Sequence, residues 1–478
     1  MTDHPNILFI NTDQHTLDAI SAYGNSNLET PGIDRLQRNG VSFMRSYCTD
    51  PVCAPARASW ATGLYTSETG TPFNRGSLHD HIPDIGQLLT AHGYEAYHCG
   101  KWHVDGREVT QSFKTLCFGE RPIEAGGGEL YDSASTHAVL DFLSSQDREQ
   151  PFYLQIGYVN PHDICEYQHN FEEKLIPDPV AQGLLEPEQL PPLPRSFDYD
   201  KWETLVQMVT RRDDECLIHW PILRKTRGWS ELQWRSLIWN YYRFVEKVDR
   251  QIALVLDALS ASPFRDNTVI IFSSDHGEAC GQHQMFQKST LYEECIRVPF
   301  IVACLGDGSG LVKGSLDRQH MLSGVDLFAT VCDYARIKMP EGVHGRSVRS
   351  LAEGQEVPWR DYAYVEANYW GRAIVTHQYK YITEYVPKDE EDFVAPGPDS
   401  ASLGREQLFD LDVDPWETRN LAQMPGLESV LHGLREHLRW HEAQLSRIAL
   451  KPGRPQELVN QWGIRLRERW KNERSNCP

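Results

Sequence analysis

Short apolar runs recur along the chain, and each gives way at once to polar residues. Ile7 to Ile10 in "NILFINTDQH" leads into Asp13, Gln14 and His15, and Val269 to Phe272 in "TVIIFSSDHGE" leads into Asp275, His276 and Glu278. In both, an aspartate follows three residues after the last apolar position. "YEAYHCGKWHVDG" sets Lys101 and His103 behind a third run, "PFYLQIGYVNPHD" sets His162 behind a fourth, and "RVPFIVACLG" is a fifth. Continuous apolar runs of this length, separated by helical segments, read as buried strands of a largely parallel sheet. Ligands of such sheets bind beyond the carboxyl ends of the strands, so four polar clusters are expected to converge on one edge.

Between the runs the pattern turns helical. "SLHDHIPDIGQLLTAHG" stops at Gly93, a reasonable C-terminal stop. In "LIWNYYRFVEKVDRQIALVLDALS", Val245, Val248, Ile252, Val255, Leu256 and Leu259 fall at helical spacing, the mark of a core-packing helix. The proline-rich stretch from Ile176 to Phe197 reads as a long surface connection, either a lid or a passive loop. After about Trp359 the pattern alternates: "WRDYAYVEANYWGRAIVTHQYKYITEY" predicts a small antiparallel sheet, and "LESVLHGLREHLRWHEAQL" a helix behind it. From Lys451 the chain is locally basic and carries Trp462 and Trp470, a tail packed on the body or on another subunit. The expected division is 1–358, 359–450 and 451–478.

A chain of 478 residues is long enough for one large domain and a smaller one. A formal net charge of −20 argues against a nucleic-acid partner, though a locally positive site for an anion remains compatible with it. No apolar run is long enough to span a bilayer, and the start, "MTDHPNILFIN", lacks the basic cluster and long apolar core of a leader. The eleven cysteines follow no framework spacing, which fits a reducing compartment. A cytoplasmic location is the expectation.

One cysteine stands apart. In "DPVCAPARASWATGLY", Cys53 opens helix-friendly sequence, Pro55 suits a first helical turn, and Arg57 lies four residues on, on the same face. A helix N-terminus is a good place for an anion. Against this stands the ordinary fate of cysteine, which is burial without reactivity.

"CAPAR" with "ASWATG" after it resembles the signature of the formylglycine-dependent sulfatases. "NILFINTDQ", "TPGIDRLQRNGVSF", "GYEAYHCGKWH", "PFYLQIGYVNPH", "SSDHGEACGQH", "FQKSTLYEECIRVPFIV", "SGVDLFATVCDYARI" and "QLFDLDVDPWETRNLA" match family blocks in the family's order, over most of the chain. The resemblance implies an α/β, alkaline-phosphatase-like fold: a large mixed, mostly parallel sheet between helices, with a smaller C-terminal antiparallel sheet domain. The chain departs from the commoner family pattern at Ala56 (usually Ser), at Asp13–Gln14 (usually two aspartates) and at Asp275–His276 (usually Asp–Asn).

The resemblance also implies a chemistry. Cys53 would be oxidised to formylglycine by a formylglycine-generating enzyme, and one hydroxyl of its hydrate would attack sulfur while the other later releases sulfate. A divalent metal, calcium first and magnesium or manganese behind it, would be held by Asp13, Gln14, Asp275 and His276. Arg57 would orient the nucleophile, Lys101 and Lys288 would hold sulfate oxygens, His103 would contact the formylglycine hydroxyl, and His162 would protonate the leaving oxygen. The two aspartates are also what the strand-end pattern selects; Gln14 is not.

Substrate contacts are sought at Asn74, Arg75, His79, Asp105, Glu366, Tyr369, Trp370 and Arg372, with Trp370 read either as a platform for a sugar face or as core. The expected substrate is a small-molecule or oligosaccharide sulfate ester, a carbohydrate sulfate before an aryl or alkyl one. Two rivals stand beside it: a phosphonate monoester or phosphodiester hydrolase of the same superfamily, favoured by Ala56, and a catalytically inactive binding protein with Cys53 unmodified. Lys101 and His103 in "GKWH" argue for sulfate over the diester. Oligomeric state is open, homo-oligomers included.

Overall fold

The computed structural model describes residues 4–117, 127–145, 150–166, 178–198, 228–307, 309–385 and 405–475, with a few single positions between them. The first residues of the proline-rich stretch, Ile176 and Pro177, lie outside the described residues, as does the side chain of Trp470.

Eight strands form the main sheet: β1 (Asn6–Asp13), β2 (Gly40–Phe43), β3 (Glu95–Gly100), β4 (Lys114–Cys117), β5 (Phe152–Pro161), β6 (Thr268–Ser274), β7 (Phe300–Ala303) and β8 (Ser315–Asp317). Their order is β8-β2-β7-β6-β1-β5-β3-β4. β1 lies at the centre, parallel to β5 and β6, and β3 is parallel to β4 and β5. The run "RVPFIVACLG" supplies β7, which is antiparallel to both neighbours, so the sheet is mixed but mostly parallel.

Continuous apolar runs are needed because both faces are covered. Ile7 and Phe9 of β1 pack on one side with Trp60, Phe328 and Val331. Leu8 and Ile10 pack on the other with Val139, Phe142, Val248, Ile252 and Val255. The helices responsible are α1 (Pro31–Arg38), α2 (Cys53–Thr62), α3 (Gly128–Ser144), α4 (Glu231–Ala261) and α5 (Asp326–Tyr334); α2 and α5 lie on the first side, and α1, α3 and α4 on the second. Each fully buried aliphatic or aromatic side chain contributes roughly 1.5–3 kcal/mol, so the strand ends project from a stiff base. All six apolar positions singled out on α4 are buried, and Ser230 caps its first turn by accepting from the Gln233 N–H.

The C-terminal sheet is antiparallel, β9 (Tyr362–Ala367), β10 (Gly371–Thr376), β11 (Tyr379–Glu384) and β12 (Gln407–Asp410) in that order. Leu431, Leu434 and Leu438 of α6 (Glu428–Glu442) pack on it with Tyr364 and Ile374. The basic tail forms α7 (Arg454–Ser475), whose Trp462 meets Phe73 edge-on at 5.1 Å between ring centres. The tail thus packs on the body of its own chain. No described helix is long and apolar enough to cross a membrane.

Candidate active site

Four strands end at one place. Asp13 closes β1, Asp275 and His276 follow β6, Lys101 follows β3, and His162 follows β5. Two glycines set the height of Lys101: Gly100 is left-handed (φ 89°), and the Lys101 N–H donates to the Gly157 carbonyl at 2.7 Å. A Cβ on Gly157 would stand 2.1 Å from the Lys101 carbonyl, so only glycine permits this approach. Gln14 (φ 70°), His103 (53°), Gln287 (70°) and Ser289 (76°) are also left-handed without being glycine. Such strain costs of order 1–3 kcal/mol per residue and gathers at functional sites.

Arg57 joins the two aspartates. Its Nε donates to Asp275 Oδ2 at 2.8 Å, one Nη to Asp13 Oδ2 at 3.2 Å, and the other Nη to the Lys101 carbonyl at 3.0 Å. Lys101 Nζ also pairs with Asp13 Oδ2. Burial alone would raise the Asp13 carboxyl, but the cationic Lys101, Arg57 and Lys288 hold it well below the usual carboxylate range.

Cys53 begins α2 inside this ring, only 1% exposed. Its Sγ lies 3.1 Å from His276 Nε2, 3.1 Å from Lys288 Nζ and 3.7 Å from Asp13 Oδ1. Burial and Asp13 push its thiol up; Lys288, Lys101 and His276 outweigh them and bring it below the ordinary range. The half-buried Asn74 accepts the Ala54 N–H at 3.0 Å and so satisfies an open donor of the helix start.

The donor set suits a divalent cation. Asp13, Asp275, His276 and Cys53 each offer a ligand atom within 4.8 Å of the others, all buried. His276 Nδ1 sits 2.8 Å from the Gly277 carbonyl; a carbonyl only accepts, so Nδ1 carries a proton and Nε2 is the ring atom left facing the site. Gln14 Oε1 lies at the same place, 2.7 Å from Lys288 Nζ. Two carboxylates, an amide oxygen and an imidazole are a set that a cation could bridge once the lysines release them.

His162 is half-buried, with Nε2 4.0 Å from Cys165 Sγ. Burial and then Lys288 hold its imidazole well below the usual value, so it is neutral. His103 is buried two residues beyond Lys101. Arg75 is exposed, and its N–H donates to Asp105 at 2.6 Å. His79 lies 3.0 Å from the Ala449 carbonyl, where the tail begins.

Glu366, Trp370 and Arg372, sought as substrate contacts, are packed inside the structure, each only 1–2% exposed. Trp370 is core, set against Tyr369 and against Trp462 of α7. Arg372 pairs with Glu442 of α6 at 3.0 Å. Glu366 accepts from the Thr66 hydroxyl, the Ser67 N–H (2.9 Å) and the Tyr364 hydroxyl (3.1 Å). Glu366 thus ties the C-terminal sheet to the body, while Arg372 and Trp370 join it to α6 and α7. Two residues near the centre carried no assignment from the sequence, Glu278 and Cys165; both contact the Gln14 side chain.

A family model described as sulfatase matches residues 5–337, and one described as the C-terminal part of N-sulphoglucosamine sulphohydrolase matches residues 281–444. The Δ4,5-hexuronate-2-O-sulfatase of Bacteroides thetaiotaomicron is 28% identical over 455 residues, covering 90% of this chain and 87% of the relative. A solved 2-O GAG sulfatase superposes with a TM-score of 0.76 at 26% identity, covering 92% of each chain. The phosphonate monoester hydrolase of Agrobacterium radiobacter shares the fold (TM-score 0.73, 20% identity, 92% of this chain and 96% of that one). With the family model spanning most of its length and four strand ends meeting at Cys53, the chain belongs to the sulfatase family of the alkaline-phosphatase-like superfamily and is a sulfuric ester hydrolase.

Proposed function

We propose that this protein hydrolyses a sulfate monoester of a carbohydrate, with formylglycine formed from Cys53 as nucleophile and a calcium ion held by Asp13, Gln14, Asp275 and His276. The observation that carries the reading is the placement of Cys53 Sγ between His276 and Lys288, within reach of Asp13, at a helix start inside a sulfatase fold. The sugar part rests on relatives whose names specify hexuronate and GAG sulfates.

Sγ marks where the formylglycine hydroxyls would stand. The hydrate supplies two hydroxyls on one carbon, one to attack sulfur and one to let sulfate go, and the metal supplies a Lewis acid beside them. The chain's own groups do the rest. Arg57 fixes both aspartates and, through the Lys101 carbonyl, the end of β3. Lys101 and Lys288, cationic and 5% exposed, stand ready for sulfate oxygens. His276 Nε2 lies against the nucleophile's position at 3.1 Å. His162, beside this group and more open, is the donor to the leaving oxygen, and His103 the acceptor as the carbonyl reforms. A neutral imidazole at rest must take up a proton before it can donate one, and the anionic ester brings negative charge that favours this.

Removing divalent metal is expected to abolish hydrolysis of an aryl sulfate, and added calcium to restore it. Asp13→Asn should keep the fold and lose both calcium binding, read by calorimetry, and most of the rate. Full calcium affinity in that variant would remove the metal assignment; activity confined to phosphonate or phosphate diesters would remove the sulfate one.

A further inference from the structure

We infer that Glu278 is a positioning residue that turns the Gln14 amide so that its oxygen, not its nitrogen, faces the metal and sulfate pocket. The inference rests on the reading of Gln14 as a metal ligand. Gln14 is a neutral group with two unlike ends, and nothing in an amide alone decides which end faces inward. Its neighbours decide. Lys288 Nζ, which only donates, lies 2.7 Å from Gln14 Oε1. Glu278 Oε2, which as a carboxylate only accepts, lies 2.5 Å from Gln14 Nε2. The two contacts agree on one orientation.

Glu278 is itself fixed. It is fully buried, three residues after Asp275, and its other oxygen accepts the Gln287 N–H at 2.8 Å. Gln287 is the residue before Lys288. One carboxylate therefore ties the segment bearing Asp275 and His276, the Gln14 side chain and the approach to Lys288. It also accounts for a neutral ligand at position 14. A carboxylate there would be charged at the metal; with glutamine the charge is placed one side chain further out, on Glu278.

Glu278→Gln tests this by reversing the pattern. The new amide would keep its oxygen on the Gln287 N–H and present its NH2 to Gln14. Gln14 would then turn its oxygen toward residue 278 and its NH2 toward the Lys288 ammonium, donor against donor. Outer partners of metal ligands typically change affinity about 10–100-fold. Calcium binding to the metal-stripped full chain, measured by calorimetry, is expected to weaken by that range. The exchange variant, Gln14→Glu with Glu278→Gln, restores one carboxylate against one amide and is expected to recover most of the affinity.

Wild-type affinity in Glu278→Gln would overturn the inference. So would a weak single variant that the exchange does not rescue, because that marks a merely structural residue. Should the single variant not fold, the exchange variant decides alone: near wild-type affinity supports the inference, and a folded, weak binder overturns it. Asp13→Asn measured alongside separates the two levels: loss of calcium there with full binding in Glu278→Gln sinks only the role of Glu278, whereas full binding in Asp13→Asn sinks the metal reading beneath it.

Discussion

Cys53→Ala is expected to lose turnover by about ten-thousandfold or more while the fold survives, because among the described residues Cys53 alone stands as a nucleophile at the start of α2, facing His276 and Lys288. The Cβ stays, so the start of α2 is undisturbed, and only a small thiol is removed from a polar cluster. Cys53→Ser gives a sharper result. A serine hydroxyl can attack sulfur but has no second hydroxyl with which to expel sulfate. Rapid mixing with an aryl sulfate should therefore release about one equivalent of phenol per protein and then stop. Steady turnover in either variant, at matched purity, would remove formylglycine from the mechanism.

Lys101→Ala carries the second large effect and separates sulfate from diester chemistry. Lys101 is 5% exposed and pairs with Asp13, so its charge is committed to the site. A sulfate monoester offers three oxygens to the metal, Lys101 and Lys288, whereas a diester crowds one of these places with a second substituent. Losing a charge-assisted contact to a buried anion costs about 2–3 kcal/mol, on the order of a hundredfold in rate. Wild type and variant should be compared on matched aryl sulfate and aryl phosphodiester. Wild type is expected to prefer the sulfate, and the variant to lose most of that preference. A wild type that favours the diester, with both rates unmoved in the variant, would transfer the protein to the hydrolases of phosphonates and diesters.

The strand ends were legible because both sides of the signal lie close in sequence. Ile7–Ile10 next to Asp13, and Val269–Phe272 next to Asp275, state at once that a strand is buried and that its end is polar. The largely parallel sheet followed from the same runs and the small antiparallel one from the alternation after Trp359, while the mixed, alkaline-phosphatase-like form was what the family resemblance implied; the topology agrees with all three. Partners distant in the chain were not legible. Trp370 and Arg372 alternate with small residues as an exposed face would, and α6 and α7, which supply Glu442 and Trp462, help to bury them. Glu278 is likewise mute in "SSDHGE" until Gln14, 264 positions earlier, is brought against it.

The enclosure of Cys53 fixes an order of events in the life of the chain. Its thiol is 1% exposed and surrounded by side chains from residues 13, 276 and 288, on a helix whose ten residues are all buried. An enzyme that oxidises Cys53 must reach the backbone around it, and in the finished fold that backbone lies in a fully buried helix. The oxidation proposed for this residue therefore belongs to the nascent or unfolded chain. Protein folded with the cysteine intact is expected to keep its mass on later exposure to a formylglycine-generating enzyme, while a free peptide spanning residues 50–65 is converted. On the proposed chemistry, a molecule that folds with Cys53 unmodified is expected to stay inactive.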